Sequence, residues 1–311
     1  MIDFVRIEVE NPDIDFILKH PYLKFKQEFY IKTGEIIGNK RIAEHRGLTF
    51  KIYDSGRLFI HGSLHKYKNV DNNNHNSFYL KELYLIIGHL EKTYKINPYN
   101  AAIHSIEFGV NIIPPIPTQV VLKGLFAFKW IEFKNVSPWN GNIKRVNLSQ
   151  YDVKVYDKAQ QCELKNELMR FEIKITKMEK LDKFKCIYLA DLFNPYFISR
   201  MKRILLNSWD GIILFDFTIF DKNLSNQELS LLKDWSNPLY WIDLKNDTPY
   251  SNRNKPSREC TKFKQLFKKH NADIQLKLQH IISNEWDKLS EYGDSKTQND
   301  HTSKGLISTK Q

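Results

Sequence analysis

From residue 169 to residue 175 the chain reads Met169, Arg170, Phe171, Glu172, Ile173, Lys174, Ile175, an unbroken alternation of apolar and charged side chains. A helix would scatter the four apolar residues around its circumference. A strand gathers them on one face, because successive Cβ atoms point to opposite sides of the pleat. The same sorting applies to residues 102–112. Ala102, His104, Ile106, Phe108, Val110 and Ile112 fall on one face, and Ile103, Ser105, Glu107, Gly109 and Asn111 on the other. In residues 151–158, Tyr151, Val153 and Val155 separate from Asp152, Lys154, Tyr156 and Lys158. Three strands that each pair a greasy face with a polar one describe a sheet covered on one side, the habit of antiparallel sheets. The expected fold class is α+β: an antiparallel sheet flanked by helices, with a mostly helical C-terminal region.

Other segments fill in this frame. "MIDFVRIEVE" reads as an opening strand whose alternation slips, with Ile2 and Phe4 followed by Val5, Ile7 and Val9. "LTFKIYDSGRLFIHGSL" has the form of a hairpin turning at Asp54, Ser55 and Gly56. Apolar residues at 80, 83, 84, 87, 90 and 94 make a helical stripe. Thr118 is the expected N-cap of a short helix over "TQVVLKGLFAF". Beyond about residue 180 the segments are mainly helical, with one apolar strand in "GIILFDFTIF", a linker or loop over 247–257 and two closing helices. The expected division is an antiparallel-sheet domain over 1–180, a helical region over 181–290, and a tail over 291–311 whose composition predicts disorder.

Charge narrows the function classes. Lys and Arg number 47 against 36 Asp and Glu, a net charge of +11 in 311 residues, and such a surplus favours a polyanionic partner. The three cysteines, Cys162, Cys186 and Cys260, lie far apart and outline neither a disulfide framework nor a zinc site. The charged N-terminus is unlike a secretory signal, and no 18-residue apolar run spans a membrane. A cytoplasmic protein without a membrane partner is expected. No P-loop is present, so no ATP-driven motor is encoded.

The polar strand faces admit two readings. One is a solvated side of a sheet. The other aligns them into a site, with Glu107, Glu172 and Asn111 as ligands of a Mg²⁺ or Mn²⁺ ion and Tyr156 as the catalytic phenol between Lys154 and Lys158. A phenol has a pKa near ~10 and is a poor nucleophile at neutral pH. Adjacent ammonium groups stabilise its phenolate, and a metal polarises a scissile phosphate. Nucleic-acid contacts are expected at Arg170, Lys174 and Lys66, and in the C-terminal part at Arg253, Lys262, Lys268 and Lys269. His104 is expected in the core. His61 and His65, read on one strand, are ~13 Å apart, too far to share an ion, and are expected at the surface. Trp130, Trp139, Trp235 and Trp241 are expected to pack.

The order of these pieces resembles the replication initiators of rolling-circle plasmids and filamentous phages. "FIHGSLHKYKN" is similar to the family's "GS-x-x-K-aromatic" strand end, "IHSIEFGVNI" to its metal-site strand, and "VKVYDKAQQ" with "LMRFEIKI" to the two strands that come after it. The resemblance spans about residues 48 to 180. It implies a five-stranded antiparallel sheet and a divalent-metal nicking and joining endonuclease that bonds a 5′ phosphate of DNA to tyrosine. It also implies single-stranded or hairpin origin DNA as substrate, and a host helicase or replication proteins as partners. Carried over by position, Glu107 matches the acidic metal-site residue, Tyr156 and Lys158 the "YDK" element, and Glu172 the carboxylate of the next strand. Two departures stand out: the two-histidine metal motif of many relaxases is absent, and Glu replaces the commoner Asp. Tyr188 and Tyr196 lie downstream as further candidate nucleophiles. A DNA-binding protein of the same fold that has lost nicking, and an unrelated structural or interaction protein, are the alternatives.

Overall fold

The computed structural model describes residues 1–70, 73–136 and 143–291. Its strands, in chain order, are β1 (Ile2–Val9), β2 (Lys26–Phe29), β3 (Ile36–His45), β4 (Leu48–Tyr53), β5 (Leu58–Ser63), β6 (Ala101–Ile112), β7 (Leu125–Phe128), β8 (Ile131–Glu132), β9 (Lys134–Asn135), β10 (Ile143–Asn147), β11 (Tyr151–Asp157), β12 (Met169–Ile175) and β13 (Ile212–Leu214). Ten form one antiparallel sheet in the order β2-β3-β4-β5-β1-β6-β12-β11-β10-β9, and β13-β7-β8 form a small second sheet. The fold class is α+β, as the alternation predicts. The main sheet has ten strands where the resemblance implies five.

One face of the sheet is the main core. Ile106, Phe108, Val110, Phe171, Ile173, Val153 and Val155 are buried there under the helices Leu80–Tyr94, Pro195–Asp210 and Ile274–Ser290. Trp286 meets Phe108 edge-on at 5.9 Å and Trp209 meets Phe171 at 5.0 Å. Pro195 starts a helix rather than breaking one: it stands in the first turn behind Asn194, whose side chain accepts from the Tyr196 amide. Thr118 is likewise the first helical residue rather than the cap, since Pro117 precedes it in extended backbone and the Thr118 hydroxyl donates to Glu167. A second core gathers Phe126, Phe215, Trp235, Trp241, Phe263 and Phe267 between the small sheet and the helices Asn226–Trp235, Pro238–Asn246 and Lys255–Lys269. Trp139 and the expected tail from 292 onward lie outside the described residues. No described helix is long and apolar enough to cross a membrane.

Two bulges interrupt the pairing of β1 with β6. Ile2 faces Phe108 and Phe4 faces Glu107, so Asp3 is an extra residue on β1. Arg6 faces Ser105 and Ile7 faces Ile103, so His104 is an extra residue on β6. A bulge re-aims a side chain and interrupts period-2 sorting. His104 therefore leaves the core row where strict alternation places it; it is exposed and its Nε2 lies 3.1 Å from Glu8.

Candidate functional site

The register of three strands assembles the polar face. Glu172 on β12 faces Gly109 on β6 and Lys154 on β11; Arg170 faces Asn111 and Tyr156; Lys174 faces Glu107 and Asp152. Gly109 makes the approach possible, because a Cβ there would fall 2.2 Å from the Phe171 carbonyl oxygen and 2.7 Å from the Glu172 Cα. From the other side, the β1 bulge delivers Asp3. Ser63 holds it by donating to Oδ1, and Asn74 donates to Oδ2 at 2.8 Å. Ser63 also caps the short helix Leu64–Lys68 by accepting from the Lys66 amide at 3.0 Å.

Three carboxylates meet two cations here. Oxygens of Asp3, Glu107 and Glu172 lie within 4.8 Å of one another. Lys154 Nζ donates to Glu107 Oε2 and to Glu172 Oε1, each at 2.7 Å. Arg170 donates to Glu172 Oε2 at 2.5 Å, to Asp3 Oδ2 at 3.2 Å and to Asn111 Oδ1 at 3.0 Å. Fully ionised, these largely buried side chains would hold one unbalanced negative charge. Glu107 absorbs the imbalance: burial, and then the Glu172 charge, push its pKa up to about 7. Burial acts on Glu172 in the same sense, but Lys154 and Arg170 outweigh it and hold that carboxyl below its ordinary range.

Tyr156 departs from expectation in its surroundings. Its ring is 6% exposed and its hydroxyl donates to Glu172 Oε2 at 3.4 Å. Burial and then the Glu172 charge raise the phenol pKa well above its usual value. The two lysines expected to stabilise a phenolate donate to other groups, and Lys158 Nζ also lies 5.8 Å over the Tyr156 ring. Lys154 serves the carboxylates, and Lys158 Nζ donates to Asn74 Oδ1 at 2.7 Å and Gln161 Oε1 at 2.8 Å. Burial and then Arg170 lower the Lys158 pKa. These groups line an open cleft of about 580 Å³ with Lys66, Asn73 and Cys162.

The remaining expected residues divide between this cleft and distant surfaces. Asn111 accepts from Arg170 through Oδ1 and donates to the His75 carbonyl, each at 3.0 Å. Asp3, which alternation hides, supplies a third carboxylate. Arg170, expected on nucleic acid, is 2% exposed because its guanidinium neutralises Asp3 and Glu172 internally. Lys174 lies 4.7 Å over the Phe4 ring beside the site. His65 is not a surface strand residue. Ser63 has already started a helix, and His65 is buried, stacked on Phe78 at 4.8 Å and 2.6 Å from Asn76 Oδ1. Far away, Arg253 lies over Tyr250, Lys262 pairs with Glu259 at 3.3 Å and Lys269 with Glu228 at 2.8 Å. Lys268 is exposed on the same helix. Tyr188 donates to Glu10 and Tyr196 stands at the start of the helix Pro195–Asp210; neither lines the cleft.

The donor set suits a divalent ion. Three carboxylates are hard oxygen donors of the kind Mg²⁺ and Mn²⁺ take, and their spacing lets them share one ion. They fit, on the condition that the Lys154 ammonium yields its place between Glu107 and Glu172.

No family model matches the chain, and no curated protein matches it. Among solved structures, the chain is similar to the rolling circle replication initiator protein from Geobacillus stearothermophilus, with 14% identity and a TM-score of 0.42 over 76% of this chain and 96% of that one.

Proposed function

We propose that the chain is a DNA-binding replication initiator of a mobile element that nicks and rejoins single-stranded DNA on the polar face of its sheet. The observation that carries this reading is the convergence of Asp3, Glu107 and Glu172 within 4.8 Å, with the Tyr156 phenol 3.4 Å from Glu172, in one open cleft. The net charge of +11 and the motif order over about residues 48 to 180 support it.

In this reading Glu172, which accepts the Tyr156 hydrogen bond, orients the phenol in the cleft. Lys154, which bridges Glu172 and Glu107, gives up that place when the carboxylates hold an ion. The phenol oxygen bonds to phosphorus as its proton passes to water in the cleft and the P–O3′ bond breaks, and the leaving 3′ oxygen takes up a proton from water. The tyrosine–phosphate ester conserves the bond energy, and attack by the 3′ hydroxyl restores the strand. Asp3, Glu107 and Glu172 would hold a divalent ion, which would supply charge that polarises the phosphate. Lys66 and Lys174 flank the cleft and bind the strand's phosphates. The substrate is single-stranded or hairpin origin DNA, the setting the cytoplasm, and the partners a host helicase or replication proteins.

A second reading, a DNA-binding protein of the same fold without nicking activity, is favoured by the Lys154 clamp and the buried, high-pKa Tyr156. Incubation with single-stranded DNA and Mn²⁺, followed by a denaturing gel, separates the two. A covalent adduct lost in Tyr156→Phe supports nicking through Tyr156. An adduct that survives the change moves the nucleophile to another tyrosine. Salt-dependent binding without any adduct selects the second reading.

A further inference from the structure

β3 pairs with β4 only from Lys40 onward, while β2 pairs with β3 as far out as Phe29 and Ile36. The intervening chain projects beyond the sheet as a two-stranded ribbon, and every residue from 28 to 41 is exposed on both faces. The tip is an ordered turn: the Tyr30 amide donates to the Glu35 carbonyl at 2.8 Å and the Gly34 amide to the Tyr30 carbonyl at 2.7 Å. Isolated two-stranded hairpins are marginal in water. This one also carries Phe29, Tyr30, Ile31, Ile36 and Ile37 in solvent, with Ile31 93% exposed. Clustered exposed apolar residues mark an interaction site.

Charge selects the occupant. Lys24, Lys26, Lys32, Lys40 and Arg41 stand on or beside the ribbon against Glu28 and Glu35, and none of the five has an ion pair among the described residues. The cations continue across the polar face: Lys51 lies next to Lys40 and Arg6, whose charges add to burial in lowering its pKa. Arg6 is exposed over the Phe59 ring, and Lys174 over Phe4 closes the row at the carboxylates.

We propose that the ribbon is an arm that enters the major groove of duplex DNA and holds the double strand beside the cleft. Strands about 4.8 Å apart with their side chains match a B-form major groove about 12 Å wide, which admits a two-stranded ribbon. The A-form major groove of duplex RNA is too narrow and deep for it. Lys26, Lys32, Lys40 and Arg41 meet the phosphates of both walls, and Tyr30 and Ile31 at the tip reach the base edges, where thymine methyl groups are apolar partners. The inference rests on the proposed function for its partner class alone, because the arm needs neither the metal nor Tyr156.

The experiment uses the full chain and a labelled short DNA duplex, in chelator, with binding read by fluorescence anisotropy over a salt series. The variant Lys26→Gln/Lys32→Gln/Lys40→Gln is expected to bind at least about tenfold more weakly at low salt, with the slope of log affinity against log salt reduced by roughly 0.9 for each phosphate that is no longer neutralised. Tyr30→Ser/Ile31→Ser is expected to weaken binding with the slope unchanged. Both variants keep the wild-type melting temperature. Unchanged duplex affinity in both ribbon variants overturns the proposal. So does an equal loss of duplex RNA binding, or a wild-type dimer that the ribbon variants dissociate without any change in DNA binding.

Discussion

The ammonium of Lys154 on β11 reaches across β12 to the Glu107 carboxylate on β6, ending 2.7 Å from Oε2. The same Nζ lies 2.7 Å from Glu172, so it occupies the place a shared cation would take. Lys154→Met removes that charge while keeping most of the stem. Two buried carboxylates then face each other with less compensation, and breaking a buried pair costs on the order of 3–5 kcal/mol. The variant is expected to melt lower than wild type without metal and to gain more stability from Mn²⁺. Thermal scans with and without Mn²⁺ check this. An equal Mn²⁺ shift in both proteins would show that the lysine does not compete with the ion.

Glu107 gives the site a pH signature. Its folded pKa of about 7 stands above the ordinary 4.5. Between those values the folded state holds the proton more tightly than the unfolded one, so this group's contribution to stability falls as pH rises through the window and is flat above it. The slope is at most about 1.4 kcal/mol per pH unit. Glu107→Gln cannot titrate. The stability of wild type relative to the variant is therefore expected to fall from pH 5 to pH 7, as measured by urea unfolding at each pH. A constant difference would mean that Glu107 keeps its ordinary pKa.

Much of this site was legible because period-2 geometry is a local rule. It sorts Glu107, Asn111, Lys154, Tyr156, Arg170 and Glu172 onto one side of their strands from sequence alone, and the structure has them on one face. Asp3 escaped the rule because a bulge breaks it. The signal was the slip in "IDFVRIEV", where Ile2 and Val5, three apart, are both buried. His104 was misplaced for the same reason on the partner strand. Ionic partners escaped for a different reason. Which carboxylate a long lysine side chain reaches depends on strand order, a property of pairings far apart in sequence. Knowing the polar face left it open whether Lys154 would meet Tyr156 or Glu107. The arm formed by β2 and β3 carries no buried face at its tip, so hydrophobic patterning gives it no signature.

His65 adds an acid sensitivity of the opposite sense. Burial, the largest influence, brings its pKa down to about 3 from 6.5. The unfolded chain binds a proton below 6.5 while the folded one refuses it, so stability from this group is complete above that pH and drains as pH falls towards 3. His65→Gln keeps a hydrogen-bonding group near Asn76 and removes the titration. It is expected to lose less stability than wild type between pH 6 and pH 4, measured by chemical unfolding. Parallel curves for the two proteins would contradict the buried neutral imidazole.

Gly109 tests whether backbone proximity sets the carboxylate geometry. It faces Glu172 across the β6–β12 pair, and a methyl group there would meet the Phe171 carbonyl oxygen at 2.2 Å. That oxygen belongs to the backbone and not to a flexible side chain, so the two central strands must separate. Overpacking of this kind costs about 1–3 kcal/mol or more. The same separation moves Glu172 away from Glu107 and Asp3, which spreads the oxygens that now lie within 4.8 Å. Gly109→Ala is therefore expected to lower the melting temperature and, in the fraction that remains folded, to weaken Mn²⁺ binding by calorimetry. Val110→Ala is the control: Val110 is buried on the opposite, core-facing side of β6, and its truncation is expected to lower the melting temperature while leaving Mn²⁺ affinity unchanged. Equal effects of the two variants on Mn²⁺ affinity would refute the claim that Gly109 positions the carboxylates.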